Sequence, residues 1–230
     1  MSRKNLEVTN KRIIRAARKL HKDAATYHTS IDLPWRKLRT PYRIFLAEFL
    51  LVRTRADIVA RLFESLFEKY PDMASLAAAS EQELATILEP LGLRKRVPLL
   101  LKGAKYIVER YKGTVPETVE ELLKVPGLGA YSAVAIAAFA YGLPEVPADV
   151  NILRFLSRLT GLPMLHPTKG SRELWSMLPL LAPAVGGPSP EKLLDFSRLI
   201  CRPGPPRCEL CPARKECAFF AAVRTRESSS

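Results

Sequence analysis

The sequence predicts an all-α protein. Three observations carry that expectation. Apolar residues recur at helical spacing in one segment after another, helix-start signatures stand just before several of those segments, and no stretch alternates apolar and polar residues between turns as a half-buried strand does. Ile13, Ile14, Ala17 and Leu20 fall on one face of a basic helix from about Thr9 to His21. His21 and His28 stand among polar residues and read as surface side chains. Leu33-Pro34-Trp35-Arg36 reads as a loop. Thr40-Pro41 joins an N-cap residue to a first-turn proline and opens the helix TPYRIFLAEFLLVRT. Ile44, Phe45, Leu46, Phe49, Leu50 and Leu51 make it apolar nearly all round, hence buried. Glu48 is the misfit, because a carboxylate in such a run is costly unless it is paired or lines a cavity.

A second amphipathic helix spans Ala56 to Tyr70, and Ser80-Glu81-Gln82-Glu83 is a capping-box signature for a short helix to about Leu88. Leu93 to Tyr111 reads as mostly another helix, with Pro98 tolerated near its start and Lys112-Gly113 as its stop. Val115-Pro116 leads into a short helix, and a longer apolar helix begins near Ala130. After Asp149, VNILRFLSRL carries Val150, Leu153, Phe155, Leu156 and Leu159 at helical spacing. Gly161 to Lys169 reads as loop, Ser171 to about Leu181 as helix, and Ser189-Pro190-Glu191 as the cap of a helix to Cys201. The tail ESSS reads as disordered.

Composition narrows the partners. Thirty-six Lys and Arg against 23 Asp and Glu give a formal net charge of +13, which suggests a polyanion. No secretory leader and no long uninterrupted apolar run is visible, so the expectation is an intracellular, cytoplasmic protein. Asn occurs only at 5, 10 and 151 and Gln only at 82, beside 19 prolines, a bias that fits a thermophilic source.

Two motifs carry chemistry. In Val125-Pro126-Gly127-Leu128-Gly129, glycines at alternate positions allow a tight turn with no side chain over it. Such a turn at the start of a helix directs backbone N–H groups outward, and those donors with the positive helix end suit a phosphate. An ordinary helix–helix connection is the competing reading. All four cysteines lie in one loop, Cys201, Cys208, Cys211 and Cys217, spaced C-x6-C-x2-C-x5-C. In an intracellular chain that clustering points to thiolate ligation of a metal rather than to disulfides. Zinc and an iron–sulfur cluster are both open; a short loop with a single C-x2-C pair suits the compact cluster. Arg202, Arg207, Arg214 and Lys215 make the loop basic, able to touch phosphates or to balance an anionic cluster.

VPGLGAYSA, followed eighteen residues after Tyr131 by Asp149, resembles the helix-hairpin-helix DNA glycosylases of the endonuclease III superfamily, as does the cysteine spacing. The likeness runs from Trp35 to Cys217. TPYRIFLAEFLLVRT, VPGLGAYSA, PADVNILR and LLDFSRLICRPGPPRC are most similar to the branch that removes thymine or uracil opposite guanine. The resemblance implies a [4Fe-4S] cluster on the four cysteines and a monomeric, monofunctional glycosylase acting on double-stranded DNA in base excision repair. It implies two helical subdomains with the active-site cleft between them: residues 1–35 with 150–222 carrying the cluster loop, and 36–149 carrying the hairpin, with 223–230 a disordered tail. It implies that Lys124, Gly127, Leu128 and Gly129 grip the DNA backbone, that Asp149 stabilises the sugar cation, and that Glu48 lines the base pocket. Arg53 resembles the residue that fills the gap or contacts the widowed guanine, although Val52 departs from the arginine or glutamine usual before it.

Tyr131 stands where bifunctional relatives carry lysine, and a phenol cannot form the Schiff base that leads to strand breakage. Two alternatives remain at this stage. A MutY-like adenine glycosylase would carry a further C-terminal domain, whereas this chain stops soon after Cys217. A non-catalytic helix-hairpin-helix DNA-binding module would gain nothing from Asp149 and Glu48, since carboxylates facing phosphates weaken binding.

Overall fold

A computed structural model of the chain describes residues 3–22, 33–164, 172–184 and 191–227. Helix is the only regular structure among the described residues. In chain order the helices are α1 (Arg3–Lys22), α2 (Pro34–Lys37), α3 (Pro41–Leu50), α4 (Ala56–Lys69), α5 (Met73–Ala77), α6 (Glu81–Leu88), α7 (Val97–Tyr111), α8 (Val119–Leu122), α9 (Ala130–Tyr141), α10 (Val150–Thr160), α11 (Arg172–Met177), α12 (Lys192–Leu199) and α13 (Ala218–Glu227). None is long and apolar enough to cross a membrane.

The chain divides into two compact units: Ser30–Tyr141, and Met1–Thr29 with Gly142–Ser230. The break falls ahead of the expected one at 149–150, so Asp149 belongs with the terminal segments. The physical reason is that Asp149 caps α10, and α10 packs on α1, α12 and α13 of that unit. His28, most of the expected loop to Lys169, and Ser189-Pro190 lie outside the described residues.

In the central unit α3 is the hub. Its cap is the expected one: the Thr40 hydroxyl accepts from the Arg43 amide at 3.2 Å, with Pro41 in the first turn. Ile44, Phe45, Leu46, Phe49 and Leu50 are buried, and α3 packs against α9, whose Ala133, Ala135, Ala137 and Ala138 let the two helices approach closely. Arg43 is also buried, held by Glu64 and stacked over the rings of Phe63 and Phe67. Three local features differ from expectation. Pro34–Lys37 is a single helical turn, with Trp35 packed on Phe63 of α4. Met73–Ala77 forms a helix on an Asp72–Ser75 capping box. Ser80 caps α6, but Glu83 pairs with Lys69 and Tyr70 rather than closing its own box.

In the terminal unit the Phe155 and Phe196 rings meet edge to face at 5.1 Å, locking α10 to α12. Helix α1 is longer than expected and lies along the 3-10 turn Leu178–Ala184. The expected Ser171–Leu181 helix divides after Met177 into α11 and that turn, where Pro179 lacks the N–H that would continue the α-helix. Helix α13 carries the chain to Glu227, past the boundary at 222 that the sequence suggests.

Candidate functional site

In the hairpin, the Leu128 amide donates to the Val125 carbonyl at 3.2 Å, with Pro126 second and Gly127 third in the turn, at φ 87°. That is the residue pattern of a type II turn, which needs glycine in the third place. Space makes the same demand: a Cβ at Gly127 would stand 2.7 Å from the Phe49 ring. On the other side Gly103 of α7 lets the Pro126 carbonyl approach, since a Cβ there would be 2.6 Å from that oxygen.

Gly129 is different. It has no positive φ, and a Cβ would meet nothing within 4 Å. Its carbonyl accepts the first bond of α9, from Ala133 at 2.9 Å, so it sits at the helix N-terminus with open space in front. Nothing inside the protein requires glycine here; the close approach of a ligand to the backbone would. Gly129→Ala is therefore expected to leave thermal stability unchanged or slightly higher, and to weaken duplex binding about tenfold by obstructing a phosphate bond. Thermal melts and binding titrations on one preparation check both halves; unchanged affinity would remove the hairpin from the interface.

Lys124 is exposed beside the turn, Leu128 is half-buried within it, and Tyr131 is the second residue of α9 with 38% of its surface exposed. Glu48 is buried on α3, one residue before the Phe49 that backs Gly127. Arg43, the buried arginine of the same helix, pairs with Glu64. Arg53 is exposed on the turn after α3 at φ 61°, a left-handed conformation that disfavours any residue with a side chain. Such strain collects where a side chain must be presented in a set direction. The central unit thus carries Glu48, Arg53, Lys124, the hairpin glycines and Tyr131, with the helix of Glu48 meeting the hairpin where Phe49 packs on Gly127.

In the terminal unit, Asp149 is the N-cap of α10. Its Oδ1 accepts from the amides of Asn151 at 2.8 Å and Ile152 at 2.9 Å, and its Oδ2 from the Asn151 side-chain amide at 2.5 Å. The carboxylate is half-buried and fixed in direction by three donors. The Asn151 side-chain oxygen in turn accepts from Arg154 at 3.0 Å, and Arg154 also donates to the carbonyls of Cys201 and Ser197.

One turn further on, Arg158 donates to the carbonyls of Cys201, Arg202 and Gly204 and lies over the Phe219 ring. Sequence reasoning missed Arg154 and Arg158. Their spacing of four puts both on the polar face of an amphipathic helix, where arginine ordinarily means solvent. The available signal was that this face carries two arginines and no lysine, and only a guanidinium fork bridges several carbonyls.

All four cysteines are free thiols, and all four line one pocket with Phe155, Ile200 and Phe219. Burial pushes the Cys211 thiol up to about 12 and raises Cys208 and Cys217, with neighbouring sulfurs adding to the effect. Such thiols become thiolates only when a positive centre offsets the lost hydration. Among the described residues no group of three or more His, Cys, Asp or Glu side chains is disposed around a single metal-ion position. Four thiols lining one pocket, with Arg158, Arg207 and Arg214 also in its wall, nonetheless fit, in donor chemistry, an anionic group larger than one ion. Lys19 and Arg15 of α1 hold Glu216 of the same loop at 2.7 and 3.2 Å.

The chain belongs to the HhH-GPD superfamily of base excision DNA repair proteins, whose model matches residues 46–180. It is 34% identical over 194 residues to the thymine-DNA glycosylase of Aeropyrum pernix, covering 82% of this chain and 87% of that one. It is 31% identical over 198 residues to the thymine/uracil-DNA glycosylase of Methanothermobacter thermautotrophicus, covering 84% and 89%. Its structure is similar to that of a thermostable thymine-DNA glycosylase, with a TM-score of 0.81 and 29% identity over 93% of this chain and 99% of that one.

Proposed function

We propose that this chain is a monofunctional DNA glycosylase that excises thymine or uracil mispaired with guanine, the products of 5-methylcytosine and cytosine deamination. The observation that carries the reading is the Asp149 carboxylate, held by three donors at the head of α10. The likeness to a thymine-DNA and a thymine/uracil-DNA glycosylase supports the choice of base. A stacked nucleotide is out of reach, so the base is first flipped out, at a cost that a mismatch reduces. Phosphate contacts by Lys124 and the amides around Gly127, Leu128 and Gly129 offset that cost. The C1′–N1 bond then breaks, with its electron pair leaving on the base. The sugar becomes cationic, and a fixed anion stabilises it without reorganising. Water adds to C1′ and loses a proton, leaving an abasic site on an intact strand. In this reading Glu48 faces the departing base and holds a water that donates a hydrogen bond to the O2 or O4 taking up the negative charge.

The four cysteines would hold a [4Fe-4S] cluster. When bound, it supplies iron–thiolate bonds that close the loop 201–217 into one rigid piece. The protein acts as a monomer on duplex DNA in the cytoplasm of a thermophilic prokaryote.

The deciding experiment uses labelled G·T, G·U, G·A and thymine-glycol duplexes, with and without hot alkali. Cleavage of G·T and G·U strands only after alkali is expected. Release of adenine alone would move the chain to the adenine branch, and release from none would leave a binding module. Tyr131→Lys tests monofunctionality in the same assay. An amine near the positive end of α9 has a lowered pKa and stays partly unprotonated, as a Schiff-base nucleophile requires. A borohydride-trapped adduct, about tenfold or more above wild type, is expected; its absence would mean that position 131 does not face the sugar.

A further inference from the structure

We propose that Arg96 is a positioning residue: it brackets the hairpin to the end of α3, and so sets where a gripped DNA backbone lies relative to Glu48. The proposal rests on reading the hairpin as a backbone grip. Arg96 closes the 3-10 turn Arg94–Arg96 and immediately precedes α7. Its guanidinium donates from Nη1 to the Phe49 carbonyl at 3.3 Å and from Nη2 to the Gly127 carbonyl at 3.2 Å. Its flat face lies over the Phe49 ring, 4.4 Å from the centroid. One side chain therefore holds a carbonyl of the last turn of α3, which lacks an intrahelical partner, and the carbonyl of the glycine that makes the hairpin turn.

The same two partners touch each other, since the Phe49 ring fills the space where a Cβ at Gly127 would stand. Gly103 seats the neighbouring Pro126 carbonyl on α7. The hairpin is thus held on α3 and on α7, and Arg96 joins both supports. Only a planar fork with two parallel donors and a stacking face makes all three contacts. Burial first, then the positive charge of nearby Arg53, holds the Arg96 guanidinium below its ordinary range. Arg43 marks the contrast. It too is stacked on aromatic rings, but it ties α3 to Glu64 and touches no candidate functional element. Arg96 joins the segment that would grip phosphate to the helix that carries Glu48.

The test compares Arg96→Met and Arg96→Lys with the wild-type chain. Affinity is measured on an undamaged duplex, its salt dependence is measured alongside, and single-turnover excision is measured on G·T duplex at saturating enzyme, well below the melting temperature. Both variants are expected to bind the undamaged duplex about tenfold more weakly and to excise about tenfold more slowly, because the hairpin has moved relative to Glu48. The slope of affinity against salt should stay as in wild type, since no phosphate contact is deleted. Faster amide hydrogen exchange at Leu128 and Gly129 should accompany the loss. Rescue by Arg96→Lys with a salt slope lowered by about one in Arg96→Met would make Arg96 a direct phosphate contact and overturn the proposal. Wild-type affinity and rate in a variant with a lowered melting temperature would reduce it to fold stability and overturn it equally. If the wild-type chain excises nothing, the glycosylase reading fails, while duplex binding and hydrogen exchange still decide the role of Arg96.

Discussion

Asp149→Asn is expected to lower single-turnover excision by about 10²- to 10⁴-fold while the protein keeps its fold and its affinity for duplex DNA. The substitution separates two jobs that one carboxylate performs. As an N-cap, Asp149 accepts the amides of Asn151 and Ile152, and asparagine caps a helix about as well as aspartate. As an anion, on the proposed mechanism, it stabilises the sugar cation, and asparagine brings no charge. A purely structural aspartate would therefore be replaced at little cost in either property. Asp149→Ala completes the comparison by removing both roles: it should lose about 1 kcal/mol of stability as well as the rate. Melting curves and rapid-quench excision on the three proteins read the two effects independently. Wild-type turnover in Asp149→Asn would take Asp149 out of the mechanism and leave it as a cap.

Most of the helical scaffold was legible because its signals are local. Thr40-Pro41 and Ser80 mark helix starts through bonds to amides three residues ahead, and each of these bonds is formed. The apolar α3 announced its burial, and the glycine demanded by the hairpin turn was readable at 127. What escaped depends on partners distant in the chain. Glu83 had the sequence of a capping box, yet Lys69 and Tyr70 outcompete its own helix end for the carboxylate. Asp149 looked like the end of the central segment because it follows the hairpin closely in sequence. Its placement is set by the packing of α10, which periodicity does not report. Arg96 and Arg158 each read as one more cation in a chain of net charge +13, and their work appears only when the carbonyls 31 and 46 residues away are in place.

Arg158→Ala is expected to cost about 1–3 kcal/mol and, if the four cysteines hold the proposed cluster, to strip much of its iron from the purified protein, although it leaves every cysteine intact. The loop 201–217 has little regular structure of its own, only short 3-10 turns at Cys208–Leu210 and Arg214–Glu216. Its backbone carbonyls at 201, 202 and 204 are satisfied by Arg158, which also approaches the Cys201 sulfur at 3.6 Å. The Cys217 thiol donates to the Arg158 carbonyl at 3.3 Å, so both ends of the loop converge on one residue of α10. Removing the guanidinium leaves the exposed carbonyls of Arg202 and Gly204 to water and the Cys201 carbonyl to Arg154 alone, so the Cys201 end of the loop is free to move away from the other three cysteines. Arg158→Lys should recover only part of the loss, because a single ammonium cannot span three acceptors. Glu216 with Lys19 and Arg15 would still tether the far end of the loop to α1, which is why partial rather than total loss is expected. Iron per chain, visible absorbance and the melting temperature measured together separate a disordered loop from a general loss of stability. Full iron content with an unchanged melting temperature would mean that the cysteines, and not α10, organise the loop.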